Sequence, residues 1–235
     1  TGTPLERDDK DIRNLLTLLE PKKSQSYSLA SDIILHHNLN KISLRRLKKD
    51  VLKELPEIDK KIEYLEMTSE QRKSYKKISS SISKIPHGDR IGLITNLLIT
   101  AAGGDILNSC KYIRSHEIIE DCINLKQKII VFSNFNSLLS NLQKFLLSKN
   151  ISSLIYNGEI DAETRNSRLE YFKRDTSLNV LLMNSRVGSE GLTITEASNI
   201  IFINEWWNPS SNRQAEDRIN RIGQKHTPNI YILRA

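Results

Sequence analysis

The stretch KIIVFSNFNSLLSNLQKFLLSKNISSLIY, Lys128–Tyr156, decides the fold. It opens with the continuous apolar run IIVF, passes through Ser133 and Asn134, continues as SLLSNLQKFLLSK with leucines at helical spacing, and closes on a second apolar run, SLIY. A strand that is apolar throughout is covered on both faces, and an amphipathic helix between two such strands returns the chain to lay them parallel.

The same alternation extends outward. Upstream lies the helical segment YIRSHEIIEDCINL; downstream come the helix AETRNSRLEYFKR, the strand VLLM, a glycine-rich turn, the strand NIIFIN, a further helix and a last strand NIYIL. Strands alternating with helices predict a doubly wound α/β domain, a mostly parallel sheet flanked by helices. Before it the chain is different. Asp8 to Glu20 reads as one helix stopped by Pro21, and residues 22–61 are polar, basic and helical in period, as in a connecting or protruding segment. IEYLEM, from Ile62, alternates as a strand should. TSEQRKSYKKISSSI then opens a helix with Thr68 or Ser69 as N-cap, and RIGLITNLLITAAGG predicts a buried packing helix. The abrupt opening TGTPLE reads as a cut from a longer protein.

A net charge of +7 over 235 residues favours an anionic partner, nucleic acid among the candidates, although lysine and arginine also mix with acids on ordinary solvated faces. No apolar run approaches the roughly 18 residues that span a bilayer, and no signal-peptide pattern is present, so an intracellular chain with no membrane partner is expected. Cys110 and Cys122, with His116 between them, miss the usual zinc spacings, and no metal site is expected. No Gly-Lys-Ser or Gly-Lys-Thr loop occurs, and no Asp-Glu pair follows a strand, so the chain has no Walker A or B site of its own.

In a parallel sheet the residues just past the carboxyl ends of the strands share one edge, where ligands bind. Ser133 and Asn134, Asn157 and Gly158, Asn184, Ser185 and Arg186, and Asn204, Glu205 and the tryptophan pair all fall there. The turn NSRVGSEGLTI, with Gly188, Glu190 and Gly191, is the candidate cofactor-binding turn, since its glycines permit close backbone approach. WWNPSSNRQAEDRINRIGQ follows. Pro209 breaks the chain, Ser210 or Ser211 can cap a helix of about three turns, and Gly223 can close it. Gln214, Arg218 and Arg221 would then share one face, Ala215, Ile219 and Ile222 would meet the sheet, and Asp217 could orient one guanidinium. Arginine fits phosphate oxygens with a planar fork of donors. The pair can reach a phosphoryl group held by another domain, or can be solvated arginines paired to Glu216 and Asp217.

These motifs resemble the second RecA-like lobe of SWI/SNF-type helicase-like ATPases of helicase superfamily two, over nearly the whole chain. TGTPLE looks like motif III, LRRLKKDVLKELP like the linker between lobes, KIIVFSNF like motif IV, NSRVGSEGLTI like motif V, and WWNPSSNRQAEDRINRIGQ like the tryptophan motif joined to motif VI. The resemblance implies residues 1–21 as the end of the first lobe, 22–61 as protrusion and linker, and 62–235 as the second lobe. It implies Arg218 and Arg221 as arginine fingers, with Gln214 beside them. Ser133, Asn134, Gly158, Ser185 and Arg186 would lie against the DNA backbone, and Thr1, Gly2, Thr3 and Trp207 would couple the sites. ATP and Mg²⁺ would be bound mainly by the missing first lobe, leaving this fragment inactive alone.

The implied partners are double-stranded DNA and the first lobe of the same polypeptide, with chromatin or a replication, transcription or repair complex as further candidates. Nuclear, cytoplasmic and viral-factory settings fit equally. Arg7, Ser189, Glu190 and Asn220 depart from the family pattern; Glu190 places an acid beside the phosphate-binding turn. Two other readings are a DNA-binding or regulatory module from a decayed motor and a strand-separating RNA or DNA helicase of the same superfamily.

Overall fold

A computed structural model of the chain describes residues 9–44, 52, 55–82, 90–187 and 192–235. Thr1, Gly2, Thr3, Arg7, Gly188, Ser189, Glu190, Gly191 and most of the LRRLKKDVLKELP segment lie outside the described residues. The chain divides into two compact units, Thr1–Glu54 and Leu55–Ala235.

The first unit holds α1 (Asp9–Leu19), a 3-10 turn at Pro21–Lys23, α2 (Ser24–Leu29) and α3 (Asp32–Ile42). Ile12, Leu16, Tyr27, Leu35 and Leu39 form its core. Arg13 closes α2 by donating to the carbonyls of Tyr27, Ser28 and Ala30, at the helix end where carbonyls outnumber main-chain donors.

The second unit is built on one sheet in the order β1-β6-β5-β2-β4-β3, with every described ladder parallel. Its strands are β1 (Asp59–Tyr64), β2 (Lys128–Ser133), β3 (Ser153–Tyr156), β4 (Val180–Asn184), β5 (Ala197–Phe202) and β6 (Asn229–Arg234). Its helices, among the described residues, are α4 (Ser69–Ile82), α5 (Arg90–Ala102), α6 (Cys110–Asn124), α7 (Asn136–Ser148), α8 (Ala162–Arg174) and α9 (Pro209–Glu216). Because side chains alternate along a strand, each central strand feeds two cores. Ile129 and Val131 of β2, Leu182 of β4 and Ile201 of β5 join Ile118, Leu138 and Leu142 on one face. Ile130, Phe132, Leu181, Met183 and Phe202 join Phe172 and Ile219 on the other. Each such side chain, fully withdrawn from water, contributes about 1.5–3 kcal/mol. β3 is an edge strand, and two of its carbonyls are occupied: Gln143 of α7 donates to Ser153 at 2.9 Å and Arg168 of α8 to Ile155 at 2.8 Å.

Several elements differ from expectation. β1 begins at Asp59, before the IEYLEM pattern, because its register with β6 (Asp59↔Asn229 to Tyr64↔Arg234) sets its length, not its mostly exposed side chains. α6 begins at Cys110, capped by Ser109, which accepts from the Tyr112 amide. α5 is not a buried helix. Ile91, Ile94 and Leu98 are exposed on one stripe, because α5 packs on α4 from one side only.

Candidate functional site at the carboxyl edge of the sheet

All-parallel pairing brings the carboxyl ends of β2, β3, β4 and β5 to one edge, and a polar network joins those of β2, β4 and β5. Ser133, fully buried at the end of β2, donates its hydroxyl to Asn204 Oδ1 at 2.8 Å and accepts from the Phe135 amide at 3.2 Å. Asn134 donates to the Glu205 carbonyl at 3.0 Å, while its own Oδ1 is buried without a hydrogen-bond partner among the described residues. Asn184, ending β4, donates to Asn136 Oδ1 at 2.6 Å and accepts from the Arg186 amide at 2.9 Å. The Ser185 amide donates to the Ser133 carbonyl at 3.0 Å, and the Ser185 hydroxyl oxygen is buried without a partner among the described residues.

The five residues grouped as DNA contacts therefore stand in two settings. Ser133 and Asn134 are sealed beneath the edge, and Ser185 is half-buried. Gly158 and Arg186 are exposed. A Cβ added at Gly158 would lie 3.4 Å from Val187 Cγ2, so the loop after β3 runs against the loop after β4. The Arg186 guanidinium stacks 4.7 Å from the Trp206 ring centroid, which fixes a cation at this surface.

Past β5 the main chain is held by side chains. Asn212 accepts from the Trp206 amide at 2.8 Å and donates to its carbonyl at 3.0 Å, imitating a strand partner. Trp206 is thereby fixed half-buried, and Trp207 is turned outward, 75 % exposed. On the other side of the segment, Lys111 of α6 is 6 % exposed and donates to the Ile203 carbonyl at 2.8 Å. Burial lowers this lysine to about 8. Glu205 pairs with Arg234 at 2.8 Å. Sequence reading missed Asn212 and Lys111. An asparagine six residues after the main-chain groups it pairs with, and a lysine near a helix start, carry no local pattern.

The expected three-turn helix is shorter. Asn208, rather than a serine, caps α9 by accepting from the Ser210 amide, and the helix ends at Glu216. Gln214 is in its last turn, half-buried, whereas Arg218 and Arg221 lie in the turns beyond it, so the three do not share one helical face. The reason is a tertiary bond. The Arg218 carbonyl accepts from the Ile194 amide at 3.0 Å, and its Nη1 donates to the Leu192 carbonyl at 3.2 Å, pulling the chain out of helix onto the segment that leads into β5. Arg218 is 3 % exposed. Arg221, half-buried, donates Nε to the Asp217 carbonyl at 3.1 Å and Nη1 to Thr193 Oγ1 at 2.5 Å. Ala215 and Ile219 pack into the core as expected, but Ile222 is exposed because the helical phase is lost after Glu216. Gly223 closes the turn at φ +101°.

Residues 89–223 match the model of the helicase conserved C-terminal domain. An uncharacterized ATP-dependent helicase of Mycoplasma pneumoniae is 28 % identical over 99 % of this chain and 25 % of its own length. Human chromodomain-helicase-DNA-binding protein 1 is 28 % identical over 99 % of this chain and 16 % of its own length. The chain thus spans a quarter or less of these two relatives. The Sulfolobus solfataricus SWI2/SNF2 ATPase core, solved in complex with dsDNA, superposes with a TM-score of 0.62 at 21 % identity, covering 91 % of this chain and 50 % of that one.

Proposed function

The chain belongs to the helicase conserved C-terminal domain family, as a SWI/SNF-type second RecA-like lobe, and from that premise we propose that it is the C-terminal motor lobe of an ATP-dependent duplex-DNA translocase. The supporting observation is the docking of the QAEDRINRIG segment on Leu192–Ile194, which holds both arginines beside the segment that follows the glycine-rich turn. The donor set suits a nucleotide phosphate: two always-charged guanidinium groups restrained by main-chain and hydroxyl contacts. ATP, with Mg²⁺, is bound mainly by the first lobe and supplies the transferable phosphoryl group. Arg221 is the finger that meets the charge spreading over that group, an effect on the order of 10³-fold in rate. Arg218 acts with it and holds the turn. Residues 1–21 complete the first lobe, and residues 22–61 form the protrusion and linker.

DNA lies on the carboxyl edge. Arg186 and Gly158 approach its phosphates from exposed loops, and Ser133, Asn134 and Ser185 shape the layer beneath. Trp207 couples the edge to nucleotide turnover. The relatives named for ATP-dependent helicase and DNA-binding activity support this reading, as does the solved ATPase core with duplex DNA. The test is the ATPase rate of the full-length parent with duplex DNA, single-stranded DNA or RNA added. Stimulation by duplex is expected, and no hydrolysis by the 235-residue chain alone. Stimulation by single strands or RNA instead would assign the chain to a strand-separating helicase.

A further inference from the structure

Helix α4 carries a cationic face that the edge network does not use. Arg72, Lys73, Lys76 and Lys77 stand at i, i+1, i+4 and i+5 and are all exposed. Arg72 faces Glu66 at 3.8 Å, but that carboxylate is itself 96 % exposed. Lys73, Lys76 and Lys77 have no ion-pair partner among the described residues. Some other cations have an acid within four residues, as Lys23 has Glu20, Arg114 has Glu117, and Lys173 and Arg174 have Glu170. On α4 Glu70 stands one turn before Lys73, but the other charged neighbours of the cluster at that spacing are like charges. Arg72 precedes Lys76, and Lys73 precedes both Lys76 and Lys77, at spacings where like charges destabilise a helix. The helix dipole does not compensate, since none of these cations is in the last turn.

From this unfavourable clustering we infer that the exposed face of α4 is a second contact surface for the phosphate backbone of duplex DNA. The inference rests on the functional reading above and adds a site to it. α4 opens five residues after the carboxyl end of β1, so the helix begins on the side of the sheet where the strands' carboxyl ends lie, the side on which Arg186 follows β4. Lysine is a compact, flexible point charge, suited to phosphates met without regard to sequence. An acidic protein partner would need apolar anchors, and this face offers none. Tyr75 and Ile78 are half-buried, Gln71 is buried against the Thr100 and Ala101 carbonyls, and the Ser79 and Ser80 hydroxyls donate to carbonyls of their own helix.

The experiment measures binding of a fluorescent duplex to the 235-residue chain across a salt series. It compares the unaltered chain with a triple variant, Lys73→Gln, Lys76→Gln and Lys77→Gln, and with Arg186→Ala. These side chains are exposed, and unchanged thermal melting verifies that each variant folds. The triple variant is expected to bind at least tenfold more weakly, with a slope of log K against log salt shallower by about 2–3, close to 0.9 for each lost phosphate contact. Equal affinity and slope in the triple variant, with binding weakened in Arg186→Ala, overturns the α4 site and leaves the functional reading standing. No duplex binding by the unaltered chain overturns both. Tighter binding of polyglutamate than of duplex, lost in the triple variant, assigns the face to an acidic protein and overturns the DNA assignment.

Discussion

Strand β4 and the two stretches that flank β5, Leu192–Glu196 and Ile203–Gly223, are held by different forces. In β4 every residue is buried, the main chain is paired to β2 and β3 on both sides, and the side chains alternate between two apolar cores. In the flanking stretches side chains supply much of the pairing: Asn212 to Trp206, Lys111 to Ile203, Arg218 to Leu192 and Arg221 to Thr193. Apolar burial is non-directional, whereas a hydrogen-bonded segment keeps its shape only while each partner is in place. The strands therefore form a rigid platform, and the flanking stretches form the part in which a single substitution changes geometry.

That difference predicts a graded set of stability effects. Leu182→Ala, which opens a cavity between α7 and the sheet, is expected to cost about 2–5 kcal/mol in urea unfolding. A cost below about 1 kcal/mol would break the distinction, because the platform would then be no more tightly packed than the flanking stretches.

The pH dependence of Lys111 sharpens the comparison next. Burial holds it at about 8 in the folded chain, against the ordinary 10.5, with Cys110 and Glu205 acting to raise it and Arg234 to lower it further. Between those values the unfolded chain keeps a proton that the folded chain has released, so stability rises with pH across that window, by about 3 kcal/mol in full. In Lys111→Met this increment disappears. Parallel unfolding curves for the two proteins from pH 8 to 10.5 would show instead that Lys111 is not withdrawn from solvent.

Arg218 and Arg221 should separate after that. Arg218→Ala leaves carbonyl and cavity uncompensated and is expected to cost about 1–3 kcal/mol, whereas Arg221→Ala, at a half-buried position, should remain within about 0.5 kcal/mol of the unaltered chain. Asn212→Ala should cost about 1 kcal/mol, together with a red shift of tryptophan emission as Trp206 loses its two main-chain tethers.

The sequence made the platform legible and the flanking stretches only partly so, for the same physical reason. IIVF, VLLM and NIIFIN are continuous apolar runs, and continuous burial has one common solution, a central parallel strand. The residues that end those strands were legible as a shared edge because parallel pairing alone places them there. What could not be read was the tertiary bonding. RQAEDRINRIG keeps helical spacing through Ile222, yet the helix stops at Glu216 because Ile194 and Leu192, more than twenty residues earlier, bind Arg218. RIGLITNLLITAA is apolar enough for a core, yet Ile91, Ile94 and Leu98 face outward, since burial depends on neighbours as well as composition.

The central claim, that this turn delivers an arginine finger, is tested most directly by duplex-stimulated ATP hydrolysis in the full-length parent carrying Arg221→Ala, with thermal melting measured on the same preparation. A fall of two or more orders of magnitude with unchanged melting is the predicted result. A rate equal to that of the unaltered parent would contradict it and return Arg221 to an ordinary surface role.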